Sequence, residues 1–243
     1  MGDKEFAPLI QSDFARSSIT IASHSTRQTV DDMREAVDKG LPLGTAEYAG
    51  MDLQPYRILV AGVQDTMSDA GYVRRIAGEA ELAIREYLQG DRFLIQTNLY
   101  LRASRPLVRQ ETEAVGWHRE SFYGANLEKS VNVWTPLAGV TPENTLRFVP
   151  GSQLIPEEDI KVEVQTDGET QRYSAGHKIG FVYATKKIVA GVALHKALPM
   201  LVPDYHSSIF PGTLIHGSAG NSSAVIRFSV DFRILPLSAW NAT

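Results

Sequence analysis

The 243-residue chain predicts a mainly β fold with flanking helices: a double-sheet barrel whose helices pack outside the larger sheet. Three observations carry this. Apolar residues in the first ninety positions recur at helical spacing, and from Phe93 onward the pattern changes to short strands between turn signals. In two of those strands, polar side chains alternate with apolar ones. Over 93–102 one face carries Gln96, Asn98, Tyr100 and Arg102, and the other Ile95, Leu99 and Leu101. Over 227–234 one face carries Arg227, Ser229, Asp231 and Arg233, and the other Phe228, Val230, Phe232 and Ile234. One such strand alone reads as a sheet with a solvated face. Two of them, one bearing a candidate ligand-binding arginine, predict polar faces that line a wet cavity and apolar faces covered by helices.

Elements follow in order. Residues 29–39 form a helix that stops at Gly40. Thr66 or Ser68 caps a second helix running to about Leu88, with Val73, Ile76, Ala80, Ala83, Ile84 and Tyr87 on one face and Gly90 at its end. Residues 1–90 are thus mainly helical and residues 91–235 hold the β core, with Pro150-Gly151-Ser152 a tight turn. Residues 156–204, which include Tyr183, Lys186, Lys187 and His195, read as an insert, part of which serves as a lid. At 43% hydrophobic residues the chain supports one sizeable core, so residues 1–243 are read as a single domain.

Composition narrows the function. Charges are interspersed and the net charge is −4, so no basic block points to nucleic acid. The absence of cysteine excludes disulfides, thiolate metal sites and a cysteine nucleophile, and fits a reducing cytoplasm. There is no signal-peptide pattern, no bilayer-length apolar run, and Phe6 stands where myristoylation needs Ser or Thr. The expectation is a cytoplasmic protein with a small-molecule substrate and neither nucleic acid nor membrane as partner. The oligomeric state stays open, a homodimer through an exposed edge strand or the helices included.

The chemistry resides in Trp117-His118-Arg119-Glu120 and in His216-Gly217-Ser218-Ala219-Gly220-Asn221. His118 and Glu120, two apart on a strand, share a face, while Arg119 points away. With a remote His216 they make two imidazoles and one carboxylate, the donor set that holds non-haem Fe(II) on one side and leaves the other open. Arg227 follows in Val225-Ile226-Arg227-Phe228-Ser229, where a planar, permanently charged fork suits the far carboxylate of an oxo-acid. Ser218 adds a hydroxyl. His24, His177, His195 and His206 have no partner at ligand spacing, and His206 is the best placed of them to meet substrate.

These segments, together with Val131-Asn132-Val133-Trp134-Thr135-Pro136-Leu137 and the run Glu143 to Gln153, resemble the phytanoyl-CoA dioxygenase family. The resemblance is strongest over 93–155 and 205–235. It implies a double-stranded β-helix (jelly-roll, cupin-like) core and an Fe(II)- and 2-oxoglutarate-dependent oxygenase that consumes O2. It further implies His118, Glu120 and His216 as iron ligands, and Arg227 and Ser218 on the C5 carboxylate of 2-oxoglutarate. Asn98 would offer an amide at the C1 end, and Trp134 would border the cosubstrate or serve as a core aromatic. Two departures stand out: Glu120 where the family has Asp, and Gln153 where it has His. A retained carboxylate argues against halogenation. The polar inward faces, with Gln96, Tyr100, Arg102, Asn132, Asp231 and Arg233, favour a small hydrophilic substrate, such as a sugar, amino sugar or modified amino acid of secondary metabolism, over a long acyl chain. Hydroxylation leads, with desaturation, ring closure and epimerisation open. The alternatives are a cupin-type isomerase or dioxygenase without 2-oxoglutarate, or a non-catalytic ligand-binding jelly roll.

Overall fold

The computed structural model describes residues 12–42, 44–106, 115–124, 127–164, 186–218 and 220–240. A large antiparallel sheet is built around the ten-residue strand β11 (Arg227–Pro236). On one side β11 pairs with β4 (Val131–Ala138), then come β9 (His206–Pro211) and β1 (Thr20–Ser23). On its other side lie β2 (Phe93–Ile95) and β3 (Tyr100–Ser104), end to end along the same edge. The smaller sheet comprises β10 (His216–Ser218), β5 (Leu146–Phe148) and β8 (Leu198–Pro199). A separate hairpin joins β6 (Lys161–Val164) to β7 (Lys186–Ala190). The two sheets and the helices outside the larger one make the helix-flanked double-sheet architecture expected from the alternation, of the jelly-roll type that the resemblance implies.

That alternation sorts the residues to two environments. Val230, Phe232 and Ile234 of β11, Val131 and Val133 of β4, and Leu101 of β3 face the helices and are buried with them. The helices are α1 (Gln28–Gly40), α2 (Thr45–Gly50), α3 (Leu53–Asp69), α4 (Tyr72–Glu79) and α5 (Glu81–Tyr87), with a last turn α6 (Leu237–Trp240) closing β11. Val30, Met33 and Val37 of α1 and Tyr56, Val60, Val63 and Met67 of α3 supply the matching stripes. Each such side chain contributes roughly 1.5–3 kcal/mol on burial. A second apolar cluster, with Phe148, Phe210, Trp134 and Leu214, lies apart from this helix-packed core. Among the described residues no helix is long and apolar enough to cross a membrane.

Several expectations need correction. The helix anticipated from Thr66 or Ser68 to Leu88 is three helices. Neither residue caps one: Thr66 Oγ1 donates to Gly62 O four residues back, and Ser68 Oγ accepts from Leu99 N. The run breaks at Gly71, whose φ of 70° ends α3, and again at Ala80. The N-terminal ninety residues also contain β1, too short to announce itself by periodicity. The single strand read over 93–102 is interrupted, because four residues (96–99) lie opposite only Phe232 and Arg233. The Gln96 side chain takes the place of a backbone carbonyl, accepting from Arg233 N at 3.2 Å, and Thr97 and Asn98 bulge outward, exposed. The 156–204 segment is not all insert, since Leu198–Pro199 pairs with Arg147 and Phe148. Tyr183, His177 and the rest of 165–185 lie outside the described residues.

At the far edge a buried polar chain ties sheet to helices. His24 Nε2 meets Ser207 Oγ at 2.7 Å, and Ser207 Oγ meets Thr135 Oγ1 at 2.7 Å. Glu79, at the end of α4, lies 3.5 Å from His24 Nδ1 and accepts from Thr26 and Thr29. Removing the imidazole strands hydroxyls in the interior, which costs about 1–3 kcal/mol. His24→Ala is therefore expected to lower the urea midpoint by a corresponding amount with an unchanged m-value; an unaltered midpoint would show that the chain does not stabilise the sheet.

Candidate metal and oxo-acid site

The inward faces of both sheets meet in a narrow cavity lined by residues from β3, β4, β5, β9, β10 and β11 together with Val115, His118 and Glu120. His118 and His216 sit directly across from each other. Each donates its backbone N–H to the other's carbonyl at 3.0 Å, a closed antiparallel bridge that sets the two imidazole rings 4.3 Å apart. His118 Nδ1 lies 2.7 Å from Gly116 O and His216 Nδ1 2.9 Å from Leu214 O. A carbonyl only accepts, so each Nδ1 carries the proton and each Nε2 presents a lone pair. Both Nε2 atoms point toward Glu120 Oε1, at 3.9 and 3.8 Å, too far for hydrogen bonds. The three ligand atoms lie within 4.8 Å of one another and all three residues are buried, a donor set suited to Fe(II).

Glu120 reaches this point by a different route from the one alternation suggested. It does not continue a strand but opens a 3-10 turn, Glu120–Phe122, and its N–H is anchored to Gly212 O at 2.7 Å. Arg119 does turn away, donating twice to Ile155 O. Gly212 is crowded: a Cβ there would stand 2.5 Å from Ser130 Oγ and 2.9 Å from the carbonyls of Leu127 and Ser130.

Burial dominates the electrostatics. It holds His118 well below the ordinary imidazole value, with His216 adding to the effect, and it lowers His216 against the opposing pull of Glu120. Both rings are thus neutral and ready to act as ligands near neutral pH. Three guanidiniums line the cavity. Arg102 is held bidentately by Asp231, at 2.6 and 3.0 Å. Arg233 pairs with Glu120 Oε2, and that attraction, against the cost of burial, raises it above its ordinary value. Arg227 differs: it is 2% exposed, its Nε and Nη1 have no hydrogen-bond partner among the described residues, and burial followed by repulsion from Arg102 pushes it down to about 10. It remains a cation at neutral pH, buried with two donors unmet.

Of the residues anticipated, His118, Glu120, His216, Arg227, Ser218 and Trp134 all line this one cavity, and Trp134 also packs in the apolar cluster with Phe148 and Phe210. Asn98 does not: the Gln96 bulge leaves it exposed, and the amide in the cavity is that of Asn132, whose Nδ2 has no partner. His24 is committed to Ser207, His206 to Asp204 O, and His195 is exposed; none lines the cavity. The pairing of Arg233 with Glu120 and the Gly212 anchor were not read from the sequence. Alternation put Arg233 on the inward face, but nothing in the spacing of the two residues names its partner.

Two predictions arise from this geometry. Because His24, His118 and His216 all have lowered proton affinity when folded, the unfolded chain binds protons that the folded one refuses. The metal-free protein should hold full stability above about pH 6.5, the unfolded imidazole value, and lose it progressively as pH falls below. Urea midpoints that stay flat from neutral pH into this range would contradict the burial of these rings. Gly212→Ala should displace the carbonyl that anchors Glu120 and weaken metal binding by about tenfold or more; calorimetric titration with Ni(II) checks this, and wild-type affinity would remove Gly212 from any part in the site.

Comparison with known proteins bears on the same residues. Residues 26–229 match the family model described as phytanoyl-CoA dioxygenase (PhyH). Among solved structures, the chain is similar in fold to ThoJ, a non-heme monooxygenase in its apo form (15% identity, 93% of this chain and 76% of that one, TM-score 0.56). It is similar to EvdO2 from Micromonospora carbonacea var. aurantiaca complexed with 2-oxoglutarate (12% identity, 97% and 91% coverage, TM-score 0.52). It is also similar to SnoK, a non-heme alpha ketoglutarate dependent carbocyclase from nogalamycin biosynthesis (14% identity, 97% and 84% coverage, TM-score 0.50). At such identities the likeness is one of fold. No curated protein matches the chain.

Proposed function

Since the chain belongs to the phytanoyl-CoA dioxygenase family, we propose that it is a non-haem Fe(II)/2-oxoglutarate-dependent oxygenase acting on a small polar metabolite. The fold and the two-histidine, one-carboxylate triad match that enzyme class. The observation that carries the finer reading is the presence of Arg227, a buried cation with two donors unmet among the described residues, in the same cavity as the triad. A dicarboxylic oxo-acid answers both features, one end at the metal and the other on the guanidinium.

In this reading His118 and His216 hold the ion through Nε2 and Glu120 through Oε1. When bound, the ion supplies the redox chemistry by which O2 oxidises a substrate carbon as 2-oxoglutarate becomes succinate and CO2. The protein supplies orientation. Arg227 takes the C5 carboxylate in a planar two-point contact, with the Ser218 hydroxyl beside it. Asn132, in place of Asn98, offers its free amide to a polar group inside the cavity, and Trp134 and Phe210 wall the site against water.

Besides Val115 and Leu146, the remaining lining is Arg102 with Asp231 and Arg233, charged and hydrogen-bonding groups that favour a hydrophilic substrate over a long acyl chain. A sugar, amino sugar or modified amino acid fits that lining. The description of SnoK as a biosynthetic carbocyclase supports a place in secondary metabolism and keeps ring closure beside hydroxylation as an outcome.

Anaerobic titration of the Fe(II)-loaded protein with 2-oxoglutarate tests this. A visible charge-transfer band near about 500 nm should appear, as for open three-ligand iron sites. The Arg227→Ala protein should need at least about tenfold more cosubstrate to reach it, since a charged hydrogen bond is lost. Iron-replete, folded protein that shows no band would turn the assignment to a cupin-type enzyme without 2-oxoglutarate or to a binding protein.

A further inference from the structure

We propose that Arg233 is a positioning residue: it holds the outer oxygen of Glu120 so that this longer carboxylate offers a bound ion one oxygen and not two. The inference rests on the metal site proposed above and concerns how that site keeps its open positions.

The Glu120 side chain is 1% exposed, and its two oxygens have different surroundings. Oε1 faces both imidazoles, at 3.9 and 3.8 Å from their Nε2 atoms. Oε2 faces the Arg233 guanidinium in an ion pair and has no hydrogen-bond partner. Arg233 is itself fixed at both ends. Its backbone exchanges two hydrogen bonds with Gln96, one through the Gln96 side chain, at 2.9 and 3.2 Å. Its guanidinium lies 5.6 Å from the centre of the Tyr100 ring and 6.0 Å from that of Tyr123. Asp231 is already engaged bidentately by Arg102, so Glu120 is the carboxylate that balances Arg233.

A glutamate needs such a restraint more than an aspartate does. Its extra methylene adds a rotatable bond and lets the carboxylate turn both oxygens onto one ion. Three single-atom ligands leave three positions of an octahedron, enough for two oxygens of an oxo-acid and one dioxygen. A chelating Glu120 would leave two. To chelate, Oε2 would have to abandon Arg233 and leave a half-buried cation without its carboxylate. The departure from Asp at position 120 and the arginine at 233 therefore form one device.

Deleting a cation beside a dication strengthens metal binding whichever way the carboxylate turns, so affinity does not separate the two cases. Coordination, and not affinity, is the discriminating readout. Co(II) is the probe, with crystal structures and visible absorption of the loaded wild type, Arg233→Gln and Arg233→Lys. Wild type should ligate Co(II) through a single oxygen of Glu120. In Arg233→Gln both oxygens should ligate, Co(II) should bind no more weakly, and 2-oxoglutarate affinity should fall by about tenfold or more. Arg233→Lys, which restores a cation, should regain single-oxygen ligation and most of that affinity. A wild-type complex with both Glu120 oxygens on the ion overturns the proposal, whether or not the glutamine variant folds. So does an Arg233→Gln protein whose ligation and cosubstrate affinity match wild type. A wild type that binds no Co(II) at the three residues overturns the metal site, and this inference with it.

Discussion

The balance of charge in the cavity depends on the two-residue period of β11. Phe228, Val230, Phe232 and Ile234 alternate with Arg227, Ser229, Asp231 and Arg233, and the strand is buried on both faces. Taking a guanidinium out of water costs several kcal/mol unless a carboxylate or several acceptors meet it. The apolar side, packed on α1, α3 and α4, supplies the burial that keeps such groups inside. On the polar side Asp231 answers Arg102 and Glu120 answers Arg233. Among the described residues Arg227 has no acidic partner of its own, which is what the proposed oxo-acid would supply.

The same strand explains what could be read in advance. Alternation over 227–234 exposed the two faces, and His118, His216 and Arg227 carry enough chemistry in their side chains to be singled out before any contact is known. Sequence periodicity fails where a few residues change the phase. The Gln96 bulge inserts two residues opposite Phe232 and Arg233 and puts Asn98 outside, while the amide that faces the cavity is Asn132, which the sequence marks as inward and polar but not as the cosubstrate's amide. Gly71 and Ala80 split one apolar helical stripe into separate helices because a left-handed residue and a non-helical one interrupt the backbone without altering the spacing of Val73, Ile76 and Ile84. A 3-10 turn and a bond to Gly212, ninety-two residues away, set Glu120 beside His118 in place of the strand alternation that the spacing suggests. Long-range partners of this kind leave no periodic trace.

Glycine marks where backbones approach too closely for any other residue. Gly139, at φ 65°, follows the bulge between Phe228 and Ser229, and a Cβ there would overlap the Ile226 carbonyl just before Arg227. The Leu137 carbonyl, skipped by that bulge, is taken instead by Arg34 of α1 at 2.7 Å. The entry of β11 into the sheet, and with it the placing of Arg227, is thus fixed from the helix side as well as from within the sheet.

The bridge between His118 and His216 has a further meaning. Two ligands that are partners in a single backbone ladder rung cannot be separated without opening that rung, and the same rung joins residues 115–118 to the smaller sheet. An ion held by the proposed ligands would therefore also stabilise this rung. By linkage, whatever occupies the ligands adds its binding free energy to the hinge-like seam between 118 and 216, and whatever loosens that seam is charged against affinity in equal measure. The jelly roll is in this sense a clasp whose pin is its own cargo.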